Sequence, residues 1–148
     1  MTEPVWILWF VCFAEAVSIS AQGDCPPDAA SPFWNCSSKA LPAIPLGARS
    51  NLLVLDLSFN RIERVRAADL KSAVNLRTLL LQCNQIQAIE GDAFHSLVRL
   101  EHLDLSMNDL AHLSASWFKT LASLKKLNIK GNRYAELGKR PCFPACQS

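Results

Sequence analysis

Asparagine recurs at positions 60, 84, 108 and 132, a constant spacing of 24 residues. Each asparagine closes the same apolar pattern. Leu52, Leu55, Leu57, Asn60 and Ile62 form one copy, and Leu76, Leu79, Leu81, Asn84 and Ile86 the next. Leu100, Leu103, Leu105, Asn108 and Leu110 follow, then Leu124, Leu127, Ile129, Asn132 and Tyr134. One such copy is too short to bury its own apolar face, so successive copies must stack. Leu55-x-Leu57 places two side chains on one side of a short strand, where the next copy can cover them. The asparagine falls where the chain turns out of the strand and backbone groups lose their ladder partners. Its amide donates and accepts at once, so Asn60, Asn84, Asn108 and Asn132 are expected to form a structural ladder from turn to turn.

This is the leucine-rich repeat pattern. The expected fold is an α/β leucine-rich repeat solenoid. Short parallel strands line its concave face, and loops and short helical turns its convex face. The residue ten past the asparagine is Leu70, Phe94 and Phe118 in the first three copies, and these are expected to stack as an inner spine. Asp69-Leu70-Lys71 and Ala93-Phe94-His95 read as single helical turns, because no window is long enough for a stable α-helix.

The 148 residues suit a single domain, and a hydrophobic half is enough for a core. Residues 1–23 read as a signal peptide. Val5–Phe13 has the length of its apolar segment, and small residues from Ala16 to Gly23 follow. The leading Met1-Thr-Glu-Pro4 carries no basic residue, which keeps an uncleaved anchor as the alternative. The expected location is therefore the secretory pathway and the extracellular space. Oxidising conditions there favour a disulfide between Cys25 and Cys36, closing a proline-rich loop. Residues 24–50 read as an N-terminal cap over the first repeat, residues 51–138 as four repeats, and residues 139–148 as a non-repeat tail. Cys142 and Cys146 in that tail can pair, while Cys83 reads as a small thiol or an intermolecular link. Asn35-Cys36-Ser37 matches the N-glycosylation acceptor pattern, marking Asn35 as a glycan site.

Catalysis finds no constellation. His95, His102 and His112 fall on different repeat faces, and the five glycines form no phosphate loop. No cofactor and no metal site is expected, and the cap has neither a C-x-x-C pair nor a nearby histidine. A net charge of +2 gives no reason to expect a nucleic-acid partner. The concave strand positions are Leu53, Val54, Asp56, Ser58 and Phe59, then Arg77, Thr78, Leu80, Gln82 and Cys83. Glu101, His102, Asp104, Ser106 and Met107 follow, then Lys125, Lys126, Asn128, Lys130 and Gly131. In-register strands would put Arg77 beside Glu101 and Glu101 beside Lys125, on a face read as solvated.

Four stretches carry a narrower likeness: Leu55-Asp-Leu-Ser-Phe-Asn-Arg-Ile62, Leu100-Glu-His-Leu-Asp-Leu-Ser-Met-Asn108, Ser114-Ala-Ser-Trp-Phe-Lys119 and Gly131-Asn-Arg-Tyr134. Through them the chain resembles the N-terminal end of a Toll-like receptor ectodomain, over about residues 25 to 138. The resemblance implies a cell-surface receptor of innate immunity that senses bacterial lipoproteins and lipopeptides. It also implies pairing with related receptors and signalling through a cytoplasmic TIR domain. In that family the ligand surface lies in central repeats beyond the fourth, so the chain is expected to lack that site, the membrane helix and the TIR domain. Its ligand-binding residues stay unknown. Bacterial lipopeptide is a partner implied only for full-length members. A small secreted leucine-rich repeat module binding matrix or protein is the alternative.

Overall fold

The structure is a computed structural model that describes residues 25–26, 30–45 and 50–133. The expected signal peptide, the tail with Cys142 and Cys146, and Tyr134 lie outside the described residues.

Five short strands form one parallel sheet: β1 Phe33–Asn35, β2 Val54–Asp56, β4 Thr78–Leu80, β6 His102–Asp104 and β7 Lys126–Asn128, in that spatial order. The register follows the repeat, with Leu55 opposite Leu79, Leu79 opposite Leu103 and Leu103 opposite Leu127. Each strand is short because the turn comes at once, yet the hydrogen bonding continues past it. Leu57 N–H donates to Leu80 O at 2.8 Å and Phe59 N–H to Gln82 O at 3.0 Å. The same pair of bonds recurs from Leu81 to Asp104, Cys83 to Ser106, Leu105 to Asn128 and Met107 to Lys130.

The convex side carries β3 Arg64–Val65 and β5 Ala88–Ile89, paired in parallel, besides the single turn α1 Ala67–Leu70 and a 3-10 turn at Ala115–Phe118. Residues 91–96, around Ala93-Phe94-His95, form a chain of turns rather than a helix. Between the two faces the leucines stack in columns. Leu55, Leu57, Ile62, Leu70, Leu76, Leu79, Leu81, Ile86, Leu97 and Leu100 are all fully buried. Burying each such side chain contributes about 1.5–3 kcal/mol before entropy is counted. The column ends at β7. Leu127 is 41% exposed, whereas Leu55 and Leu79 at the same repeat position are 0% exposed. Among the described residues no further layer lies over it.

The cap joins the solenoid as a strand. β1 pairs with β2, and Trp34 and Cys36 enter the core in the positions that Leu55 and Leu57 hold one layer on. Cys36 forms a disulfide with Cys25, and Leu41 and Ile44 close the apolar end of the stack. The proline-rich stretch between the two cysteines therefore is not all loop. Backbone pairing to Val54–Asp56 draws Phe33–Asn35 into the sheet although that stretch has no periodic pattern of its own.

Candidate binding face and the asparagine ladder

Each asparagine ties its own layer to the one before. Asn84 Nδ2 donates to Leu81 O at 3.1 Å, at the end of its own strand, and to Leu57 O at 2.9 Å in the preceding layer. Its Oδ1 accepts from Ile62 N–H at 3.1 Å. Asn108 repeats this with Leu105 O, Leu81 O and Ile86 N–H, and Asn132 with Ile129 O, Leu105 O and Leu110 N–H. The carbonyls of Leu57, Leu81 and Leu105 each accept from two successive asparagines. Asn60 reaches into the cap, donating to Cys36 O at 2.8 Å and accepting from Lys39 and Leu41 N–H, both at 3.0 Å. All four asparagines are buried, so these bonds satisfy groups that water cannot reach.

The residue before each asparagine bears the cost of that turn. Phe59, Cys83 and Met107 have φ of 56°, 54° and 54°, and Gly131 has 69°. Only glycine takes this left-handed conformation without a steric penalty. A side chain at Gly131 would in addition collide with Met107 Sδ.

On the concave face, a second set of side-chain bonds fastens the strand ends. Asp56 Oδ1 accepts from Ser58 N–H at 2.9 Å and from Ser58 Oγ at 2.6 Å. Asp104 and Ser106 repeat the arrangement at 2.9 and 2.5 Å, and Asn35 and Ser37 at 2.9 and 2.7 Å. Ser58 and Ser106 are buried by these bonds, which corrects their reading as outward-facing positions. The Asp-x-Ser spacing signals an Asx turn, visible in the sequence once two copies are compared. Further along, Glu101 accepts from Arg77 Nη1 at 3.3 Å and from Lys125 Nζ at 2.6 Å. The hydrogen bond from Lys125, outweighing the opposing loss of solvation and aided by the charges of Lys125 and Arg77, holds the Glu101 carboxyl below the ordinary carboxylate range.

Residues 74–133 match the leucine rich repeat family model, and residues 49–63 match a second leucine rich repeat model. The Toll-like receptor 2 type-2 of Gallus gallus is 44% identical over 73 residues, which is 47% of this chain and 9% of that receptor's length. The chain is a leucine-rich repeat protein related to Toll-like receptor 2. It thus spans a small fraction of the curated relative it matches.

Leu70 and Phe94 are fully buried behind the strands. In the third layer the buried ring is Trp117, and Phe118 is only partly buried against it, with centroids 6.2 Å apart. The spine at that level therefore passes through Trp117 as well as Phe118. Ala93, at the position of Trp117 one repeat earlier, is buried as well, so Trp117 fills with an indole an inward position that the repeat already provides. Asn35 lies exposed on β1, and Cys83 is a half-buried free thiol. His102 faces the concave side, His112 tilts against Trp117 at 6.1 Å, and His95 is exposed on the convex turns, so the three share no site.

Proposed function

We propose that the chain is the N-terminal ectodomain portion of a Toll-like receptor 2-type pattern-recognition receptor of innate immunity. The 44% identity to the chicken Toll-like receptor 2 type-2 supports this reading. In this role the four repeats are the membrane-distal end of a longer solenoid, and β7 with its exposed Leu127 is the surface on which the next repeat stacks. Bacterial lipopeptide recognition and pairing with related receptors belong to the full-length receptor, outside this chain. The chain enters the secretory pathway on residues 1–23, and Asn35 carries an N-glycan. Among the described residues no helix is long and apolar enough to cross a membrane.

Two measurements test the reading. Sequencing of the transcript and genomic region downstream of Gly138 should reveal further 24-residue repeats. A stop preceded by a cysteine-rich closing cap would instead make the protein a small secreted leucine-rich repeat module. A lipopeptide-binding assay on the isolated chain should be negative, and saturable binding would refute the assignment of that site to later repeats.

A further inference from the structure

The concave face changes character along the solenoid. Its first strands present Phe33, Leu53 and Val54, and its last presents Lys125, Lys126 and Lys130. Strand register places Thr78, His102 and Lys126 in one row and Leu80, Asp104 and Asn128 in the next. With Leu103 and Leu127 they line a shallow cavity of about 280 Å3. Both carboxylates on this part of the face are already engaged. Glu101 is bonded by Arg77 and Lys125, and Asp104 by Ser106 at Oδ1 and by Asn128 Nδ2 at Oδ2, 3.0 Å away. The ammonium groups of Lys126 and Lys130 meet no carboxylate among the described residues, and both are exposed. Four cations here face two carboxylates, so the unmet demand on this surface is for negative charge.

We propose that this face binds an acidic peptide segment of a partner protein, with a carboxylate between His102 and Lys126 and an apolar side chain on Leu80. Adjacent strands lie about 4.8 Å apart. Side chains two residues apart on an extended peptide point the same way, so a carboxylate can reach Lys126 while the side chain two positions on meets Leu80. Charge complementarity of this kind acts mainly through association rate and register.

The test uses the full chain and a fluorescein-labelled peptide in which glutamate and leucine take turns at every second position with serine between them, so that both face the same way when the peptide is extended. A lysine–leucine peptide is the charge-reversed control. Saturable binding of the acidic peptide is expected, weakening as salt is raised. Lys126→Glu should weaken it by about tenfold or more. Lys126→Gln, which keeps most of the stem, should show a smaller loss in the same direction. Arg61→Glu, an equal charge change away from this cavity, should leave affinity unchanged. Circular dichroism should be the same for all variants, because these side chains are exposed. Equal affinities for the Lys126→Glu and Arg61→Glu proteins would overturn the proposal. So would tighter binding of the lysine peptide, or binding to phosphatidylglycerol vesicles without binding to the peptide.

Discussion

Asn60 Nδ2 donates to the carbonyl of Cys36 at 2.8 Å, so the first rung of the ladder rests on one half of the Cys25–Cys36 disulfide. The disulfide therefore holds the strand end to which the whole stack is tied. Cys25→Ala should remove the crosslink while leaving Cys36 in its buried place. Closing a loop of this length is worth about 3 kcal/mol, and urea unfolding should show a loss of that order. Hydrogen exchange should quicken first at the Leu41 amide, which donates to Asn60 Oδ1, and only later at Ile86. Uniform loss of protection along the chain would mean that the cap and ladder are not joined in this way.

Asn108→Ala should cost about 3 kcal/mol, because Ile86 N–H loses its acceptor in a buried site and the carbonyls of Leu81, Leu105 and Ser106 lose a donor. Asn108→Asp should fare no better. The aspartate still accepts from Ile86 but sets a carboxylate against the Leu81 and Leu105 carbonyls. Denaturant midpoints for the two variants check this, and an Asp variant as stable as wild type would show that donation is unimportant.

Gly131→Ala should destabilise by about 1–2 kcal/mol through its left-handed φ alone, and further through contact with Met107. Adding Met107→Ala should recover the contact part but not the backbone part. Full recovery in thermal melts would place the whole effect in the sulfur contact.

Glu101 has its carboxyl held low by Lys125 and Arg77, so its contribution to stability is complete above the ordinary glutamate value of about 4.3. It is lost as the pH falls below that value towards the lowered one of the folded protein. The stability difference between wild type and Glu101→Gln should be constant near neutrality and shrink below about pH 4. A difference independent of pH would show that the ion pairs contribute nothing, as happens at many exposed sites.

Asn35 is exposed, and its Oδ1 accepts from both the amide and the hydroxyl of Ser37. Peptide mapping of protein secreted from eukaryotic cells should find a glycan on Asn35 that peptide N-glycosidase removes. Cys36→Ala should raise its occupancy, since disulfide formation at Cys36 competes with the modifying enzyme. Unmodified Asn35 in both proteins would remove this assignment.

The period of 24 and the alternation of leucines were enough to identify which side chains turn inward, because burial demands the same spacing in every layer. The Cys25–Cys36 crosslink was legible too, from the apolar run Val5–Phe13 and the unpatterned stretch between the cysteines. Other features depend on neighbours distant in the chain. Phe33–Asn35 is a strand only because β2 offers it backbone partners, and its own residues carry no repeat signal. Trp117 enters the core beside Phe118 at the position that Ala93 fills one repeat earlier, a position that spacing from the asparagine alone does not single out.

The sequence by itself determined the stacking, the period and the ladder residues, since each follows from a local pattern that repeats. Only the tertiary structure decided the left-handed turns at Phe59, Cys83 and Met107, and the burial of Ser58 and Ser106 at the strand ends. Turn strain is accepted where the layers on either side bind the backbone tightly. The two serines sink from the surface because the carboxylates of Asp56 and Asp104 bind their hydroxyls and amides.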